Sequence, residues 1–234
     1  MTRHPAPDTT NNLFEGPDGW RLTPEGGAVH PGERTAVIAD VHLGYEWARS
    51  AGGDHLPAHS LAETRAKLAR LLDRAAIDRL VVAGDMVESS RPCRRTAADV
   101  HLLGRWLADR GVRLVGLAGN HDPRRLPALP ETCEMAGWTI GHGHRTLDVP
   151  RLISGHLHPV LRTDGRTAPC FLVGLSRIVL PAFSPNTAGW NVAIGPLPPD
   201  LDPESLRCIA GAGDELLDFG LLLPLRRHFQ GRRA

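Results

Sequence analysis

The sequence predicts an α/β fold: one domain of alternating helices and strands with a more antiparallel C-terminal half. Three observations carry that reading. Short apolar runs recur between amphipathic segments. Each early run ends in a glycine-, Asp- or His-rich cluster. No internal repeat or linker divides the 234 residues. Apolar residues make up 41% and charged residues 23%, which excludes wholesale disorder. A chain of this size buries about seven-tenths of its unfolded surface, so it needs no covalent staples. No uncharged apolar run approaches the ~20 residues of a membrane-spanning helix, so no membrane partner is expected.

Residues 1–20 are rich in Pro, Asp, Thr and Asn, show no periodicity, and read as a frayed tail. They lack an apolar stretch behind a basic one and so do not read as a secretory signal. Thr35 to Ala39 is a buried-strand pattern ending at Asp40. Ser60 then opens a helix, with Glu63 completing a capping box and Leu61, Leu68, Leu71 and Leu72 at helical spacing to about Ala76. A second strand, Leu80 to Ala83, runs into Gly84-Asp85, and a second helix spans about Arg95 to Arg110. A third strand, Arg113 to Ala118, ends at Gly119-Asn120-His121-Asp122. Trp138 to Ile140 and Arg151 to Ser154 are short strands, each running into Gly-His. Phe171–Val173 and Ile178–Leu180 predict a hairpin. Residues 21–196 are therefore expected to form one domain. Residues 197–234 form an extension of unassigned role packed on it.

The formal net charge of +1 argues against a nucleic-acid coat or a strongly electrostatic membrane binder, but leaves local patches open. Lys67 is the only lysine. Cys93, Cys133, Cys170 and Cys208 are far apart and form no CxxC, the pattern of free thiols in a reducing, cytoplasmic compartment.

Function is written in the strand-end clusters, because ligands of α/β sheets bind outside the carboxyl ends of strands. In order they are Asp40-Val41-His42, Gly84-Asp85, Gly119-Asn120-His121-Asp122, Gly141-His142-Gly143-His144 and Gly155-His156-Leu157-His158. These are oxygen and imidazole donors with no thiolate, a set that suits Mn²⁺, Fe, Zn²⁺ or Mg²⁺. Asp40 and His42 are two apart, as are His156 and His158. In extended chain each pair points to one side and can face one metal.

The ordered motif set over residues 34–194 resembles the calcineurin-like metallophosphoesterases. Asp40-Val41-His42-Leu43-Gly44, Pro169-Cys170-Phe171 and Leu180-Pro181-Ala182-Phe183 are similar to the prokaryotic DNA-ligase-associated, ICC-like branch. One departure is that Met86-Val87-Glu88 follows Gly-Asp where the common form has another acidic or Asn residue nearby.

The resemblance implies a sandwich of two mixed β-sheets flanked by helices, with two divalent ions, Mn²⁺ foremost and Fe, Zn²⁺, Ni²⁺ or Mg²⁺ as alternatives. Asp40, His42 and His158 are expected to hold one metal and Asn120, His142 and His156 the other, with Asp85 bridging. His144 is the competing ligand to His142.

The expected activity is hydrolysis of a phosphate ester by in-line attack of a metal-bridging hydroxide. His121 protonates the leaving oxygen, and Asp122 orients the His121 ring. A phosphodiesterase or nuclease is the leading reading. The alternatives are a phosphomonoesterase or pyrophosphohydrolase of the same fold, or a non-catalytic scaffold. The implied partners are a phosphate-ester substrate, DNA or another nucleic acid, and a DNA ligase or helicase as a functional associate.

Arg91, Arg94 and Arg95 read first as a solvated helix start and second as phosphate contacts. Arg124 and Arg125 are the better phosphate candidates, and Trp47, Trp106, Trp138 and Trp190 read as core.

Overall fold

The computed structural model describes residues 12–123, 128–163 and 165–231. Two sheets divide the chain in sequence. The first holds β1 (Phe14–Glu15), β2 (Arg21–Leu22), β3 (Ala28–His30), β4 (Thr35–Ile38), β5 (Arg79–Val82) and β6 (Arg113–Gly116) in chain order. β1 to β4 pair antiparallel, and β4, β5 and β6 are parallel.

The second sheet holds β7 (Thr132–Met135), β8 (Trp138–Gly141), β9 (Leu152–Ser154), β10 (Pro159–Thr163), β11 (Arg166–Val173), β12 (Arg177–Val179), β13 (Trp190–Asn191), β14 (Arg207–Ala212) and β15 (Glu215–Leu221). Its main path runs β13-β10-β11-β12-β9-β8-β7, with β14 on β11 and β15 beyond it. The helices are α1 (Tyr45–Ser50), α2 (Ser60–Arg74), α3 (Arg94–Ala108) and α4 (Leu222–Gly231).

Strand alternation builds the layers. Val37, Val81 and Ala83 face Trp138, Ile140, Ile153, Phe171 and Ile209 of the other sheet, in one core between the sheets. Their neighbours Ile38, Leu80 and Val82 face the opposite way, onto Leu68 and Leu71 of α2 and Leu103 and Leu107 of α3. On the far side, Leu172, Cys208 and Ala210 pack against Leu222, Leu225 and Phe229 of α4. The order is helix, sheet, sheet, helix: the expected sandwich of two mixed sheets. Both faces of β4 and β5 are covered, which is why they read as continuous apolar runs.

Three expectations change. The tail does not extend to residue 20. β1 pairs with β2, and Trp20 is fully buried in the inter-sheet core. Residues 1–11 lie outside the described residues.

Ser60 does not cap α2. His59 holds the N-cap position, and the Ser60 hydroxyl instead donates to Glu46 and accepts from the Gly44 N–H, tying α1 to α2. A buried carboxylate and an orphan N–H needed that hydroxyl more than the helix end did.

Residues 207–221 are two strands of the second sheet, and Leu222 opens α4 fully buried. Among the described residues no helix is long and apolar enough to cross a membrane.

Candidate metal centre

Parallel pairing sets the site. β4, β5 and β6 end side by side, as do β8 and β9 in the other sheet. The segments that follow carry all seven predicted ligands to one edge of the sandwich.

Asp40 (φ 57°), His42 (51°), Asp85 (47°), His156 (69°) and His158 (46°) all have left-handed backbones. This corrects the expectation of extended pairs. The N–H of His42 donates to the Asp85 carbonyl (3.0 Å) and that of Asp40 reaches the Gly84 carbonyl (3.3 Å), which fixes a turn where an extended strand was expected. Such conformations cost about 1–3 kcal/mol per non-glycine residue and persist where the surroundings over-determine them.

Two glycines make room for the site. A Cβ on Gly84 would sit 2.4 Å from His142 Cγ, and one on Gly119 would sit 2.1 Å from Asp85 Oδ1.

Asp40, His42 and His158 form one compact donor group. Asp40 Oδ1 lies 3.3 Å from His158 Nε2, and the Nε2 atoms of His42 and His158 are 3.5 Å apart. Asp40 Oδ2 accepts from the His156 N–H at 2.9 Å, whereas Oδ1 is buried with no hydrogen-bond partner.

Asp40, Asp85 and His142 form a second group. The Ala83 carbonyl, 3.1 Å from His142 Nδ1, requires a proton there. Nε2 is thereby aimed between Asn120 Oδ1 (2.9 Å) and Asp85 Oδ2 (3.2 Å). Three acceptors meeting at one point repel unless a cation or a proton sits among them. Donors on an octahedral divalent ion are spaced ~3 Å apart, so these residues fit such ions.

His156 stands edge-on to His142, with ring centroids 4.9 Å apart, and belongs to neither compact group. The His144 ring is 5.2 Å from that of His142 and lines a cavity of about 500 Å³ with Asn120, Leu129, Glu131 and Arg145. It is His142, rather than His144, whose nitrogen meets Asp85 and Asn120.

Burial alone would raise the Asp85 carboxyl. The hydrogen bond and charge of His142 and the His121 N–H overcome it and hold Asp85 at about 2. Burial would likewise depress His142, but Asp85 and Asp40 raise it. Burial lowers His156, and neighbouring His142 adds to the effect.

His121 lies beside this cluster. Its N–H donates to Asp85 Oδ1 (2.8 Å), and its Nδ1 lies 2.6 Å from the Glu88 carbonyl oxygen. The expected role of Asp122 is corrected. Its two oxygens accept the Gly119 N–H (2.9 Å) and the Val87 N–H (3.3 Å), so the carboxylate ties two loops together and the His121 ring is oriented by Glu88. Burial outweighs those two bonds and raises the Asp122 carboxyl.

Glu88 is the residue that sequence reasoning left without a role. Its Oε2 is 3.0 Å from His42 Nδ1, close enough for a charge contact though off the line of a hydrogen bond. The signal was there: an acid three positions past the Gly84-Asp85 motif. Arg124 and Arg125 lie outside the described residues.

Fold and donor set together define a metal-dependent phosphoesterase. The calcineurin-like phosphoesterase family model matches residues 33–153, just over half of the chain, and the protein belongs to that family, whose members bind two divalent metals.

Among curated relatives, the DNA double-strand break repair protein Mre11 of Methanopyrus kandleri is 36% identical over 95 residues, 39% of this chain and 20% of that protein. The chain thus matches about a fifth of that relative's length. Among solved structures, the nuclease MPE of Pseudomonas putida superposes with a TM-score of 0.68 at 23% identity, covering 88% of this chain and 98% of that one. That likeness establishes the fold.

Proposed function

We propose that the protein is a dinuclear metal-dependent phosphodiesterase that acts on nucleic acid. The observation that carries it is the convergence of His142 Nε2, Asn120 Oδ1 and Asp85 Oδ2 beside the orphaned Asp40 Oδ1. Asp40, His42 and His158 would hold one ion, and Asn120, His142 and His156 the other, with Asp85 as a shared ligand. This mix of carboxylate, amide and imidazole suits Mn²⁺, Fe, Zn²⁺ or Ni²⁺, of which Mn²⁺ is our first choice. When bound, the ions supply Lewis acidity and activate water near neutral pH.

The chain's own residues do the rest. Imidazole and amide donors keep the site cationic enough to accept a phosphate ester, with Glu88 moderating that charge. The Glu88 carbonyl holds the Nδ1 proton of His121, so Nε2 is the nitrogen left to face the leaving oxygen, and the imidazolium form would donate its Nε2 proton there and return to the neutral Nδ1–H tautomer. General-acid help of this kind contributes typically ~10²–10⁴-fold.

The relatives, a double-strand break repair protein and a nuclease, support nucleic acid as the substrate. A functional link to a DNA ligase or helicase, and a cytoplasmic location matching four free cysteines, belong to the same reading.

The deciding assay compares bis(p-nitrophenyl) phosphate, p-nitrophenyl phosphate and single-stranded DNA with Mn²⁺ present. Cleavage of both diesters over the monoester is the expected result. Preference for the monoester would overturn the proposal.

A further inference from the structure

We propose that Arg91, Arg94 and Arg95, with the Trp47 ring that carries Arg95, form a face that grips the phosphodiester backbone of a nucleic-acid strand beside the metal centre. The inference rests on the proposed function and says which surface holds the polymer.

Three guanidiniums within five residues lie exposed at the start of α3. Among the described residues none of the three side chains has an ion-pair or hydrogen-bond partner. Arg34, Arg49, Arg145 and Arg177, by contrast, each pair with a carboxylate. The nearby carboxylates are committed elsewhere. Glu88 faces His42, Asp99 accepts from Trp47 Nε1 at 2.9 Å, and buried Glu46 accepts from Ser60. No carboxylate among the described residues forms an ion pair with any of the three guanidiniums.

The face is also organised. The Arg95 guanidinium lies 4.8 Å from the centroid of the half-buried Trp47 ring, and Asp99 fixes that ring by accepting its Nε1–H at 2.9 Å. Stacking restricts the guanidinium to a plane and leaves its donors free for phosphate.

The face is continuous with the reactive centre. A Cβ on Gly44 would lie 2.2 Å from Thr96 Oγ1, so the first turn of α3 touches the chain two residues past His42. Two residues span at most about 7 Å. The Glu88 N–H bonds the Leu43 carbonyl at 3.0 Å, which holds the segment leading to Arg91 on the same edge. A strand with its scissile bond at the metals has its next phosphates within reach of these arginines. Among the described residues, the cavity lined by Asn120 and His144 carries one arginine, Arg145, paired with Glu131 at 2.9 Å.

The test uses the full-length Mn²⁺-loaded enzyme and the triple variant Arg91→Gln, Arg94→Gln, Arg95→Gln. Selectivity is the ratio of kcat/KM on a fluorescein-labelled single-stranded oligonucleotide to that on bis(p-nitrophenyl) phosphate, which reaches the metals but not the arginines. We expect that ratio to fall at least about tenfold, through KM. The salt dependence of log KM should flatten by about 2, at ~0.7 per lost phosphate contact. The matching triple Lys variant should restore most of both.

An unchanged ratio and salt slope would overturn the proposal. If the wild-type enzyme hydrolyses the small diester but leaves DNA intact, the nuclease reading fails instead. Oligonucleotide anisotropy then decides this inference: weaker binding by the triple Gln variant sustains it, and equal binding ends it.

Discussion

His121 Nδ1 lies 2.6 Å from the carbonyl oxygen of Glu88, so a backbone acceptor sets which ring nitrogen of His121 is free. The proposed acid role follows from that geometry. His121→Ala should keep its metal, read by elemental analysis, while kcat drops ~10²–10⁴-fold. The drop should be smaller for aryl leaving groups, which need less protonation. Unchanged turnover would exclude His121 from the chemistry.

Asp85 ties acidity to stability. Its folded pKa of about 2 is below the ordinary 3.8, so its contribution is present above pH ~4 and is lost as pH falls through about 2. Metal-free protein should lose roughly 2 kcal/mol across that window in urea titrations. Asp85→Asn should lack this pH-dependent loss, and should also lose metal and activity together. A wild-type profile flat from pH 4 to 2 would contradict the assignment.

The raised His142 means that protons compete with metal at Nε2 up to a higher pH than for an ordinary imidazole. Metal affinity should therefore rise with pH through the range above ~6.5, with proton release on binding detectable by calorimetry in buffers of different ionisation enthalpy. His142→Ala should lose metal, whereas His144→Ala should retain it.

Asp122 joins two loops by accepting two backbone N–H groups. Asp122→Ala strands both donors, and about 1–3 kcal/mol should be lost in denaturant unfolding. A side chain that served only to orient His121 would change kcat and leave stability intact.

Two glycine substitutions should separate site from scaffold. Gly119→Ala drives a Cβ to 2.1 Å from Asp85 Oδ1 and should abolish metal binding. Gly104→Ala meets nothing within 4 Å in α3 and should stabilise the protein by up to about 1 kcal/mol through helix propensity. Equal effects of the two would show that the crowding at Gly119 is relieved elsewhere.

The local pattern alone determined the doubly buried strands β4 and β5, the helices α2 and α3, and the edge where chemistry would gather. Val37 and Ile38 need opposite apolar partners, and only a strand covered on both faces supplies them. The candidate donors were legible locally too: Asp40, His42, Asp85, Asn120, His142, His156 and His158 stand out by residue type and motif order.

What only the tertiary structure decided is the use made of each group. The Ser60 hydroxyl serves Glu46 rather than its helix, Asp122 serves Gly119 and Val87 rather than His121, and Glu88 stands at His42. Strands β14 and β15 join the second sheet although nothing near them in sequence pairs with β11. The physical reason is common to all four. A hydrogen bond or buried charge takes the partner that folding brings within about 3 Å, and those partners are up to dozens of residues away along the chain.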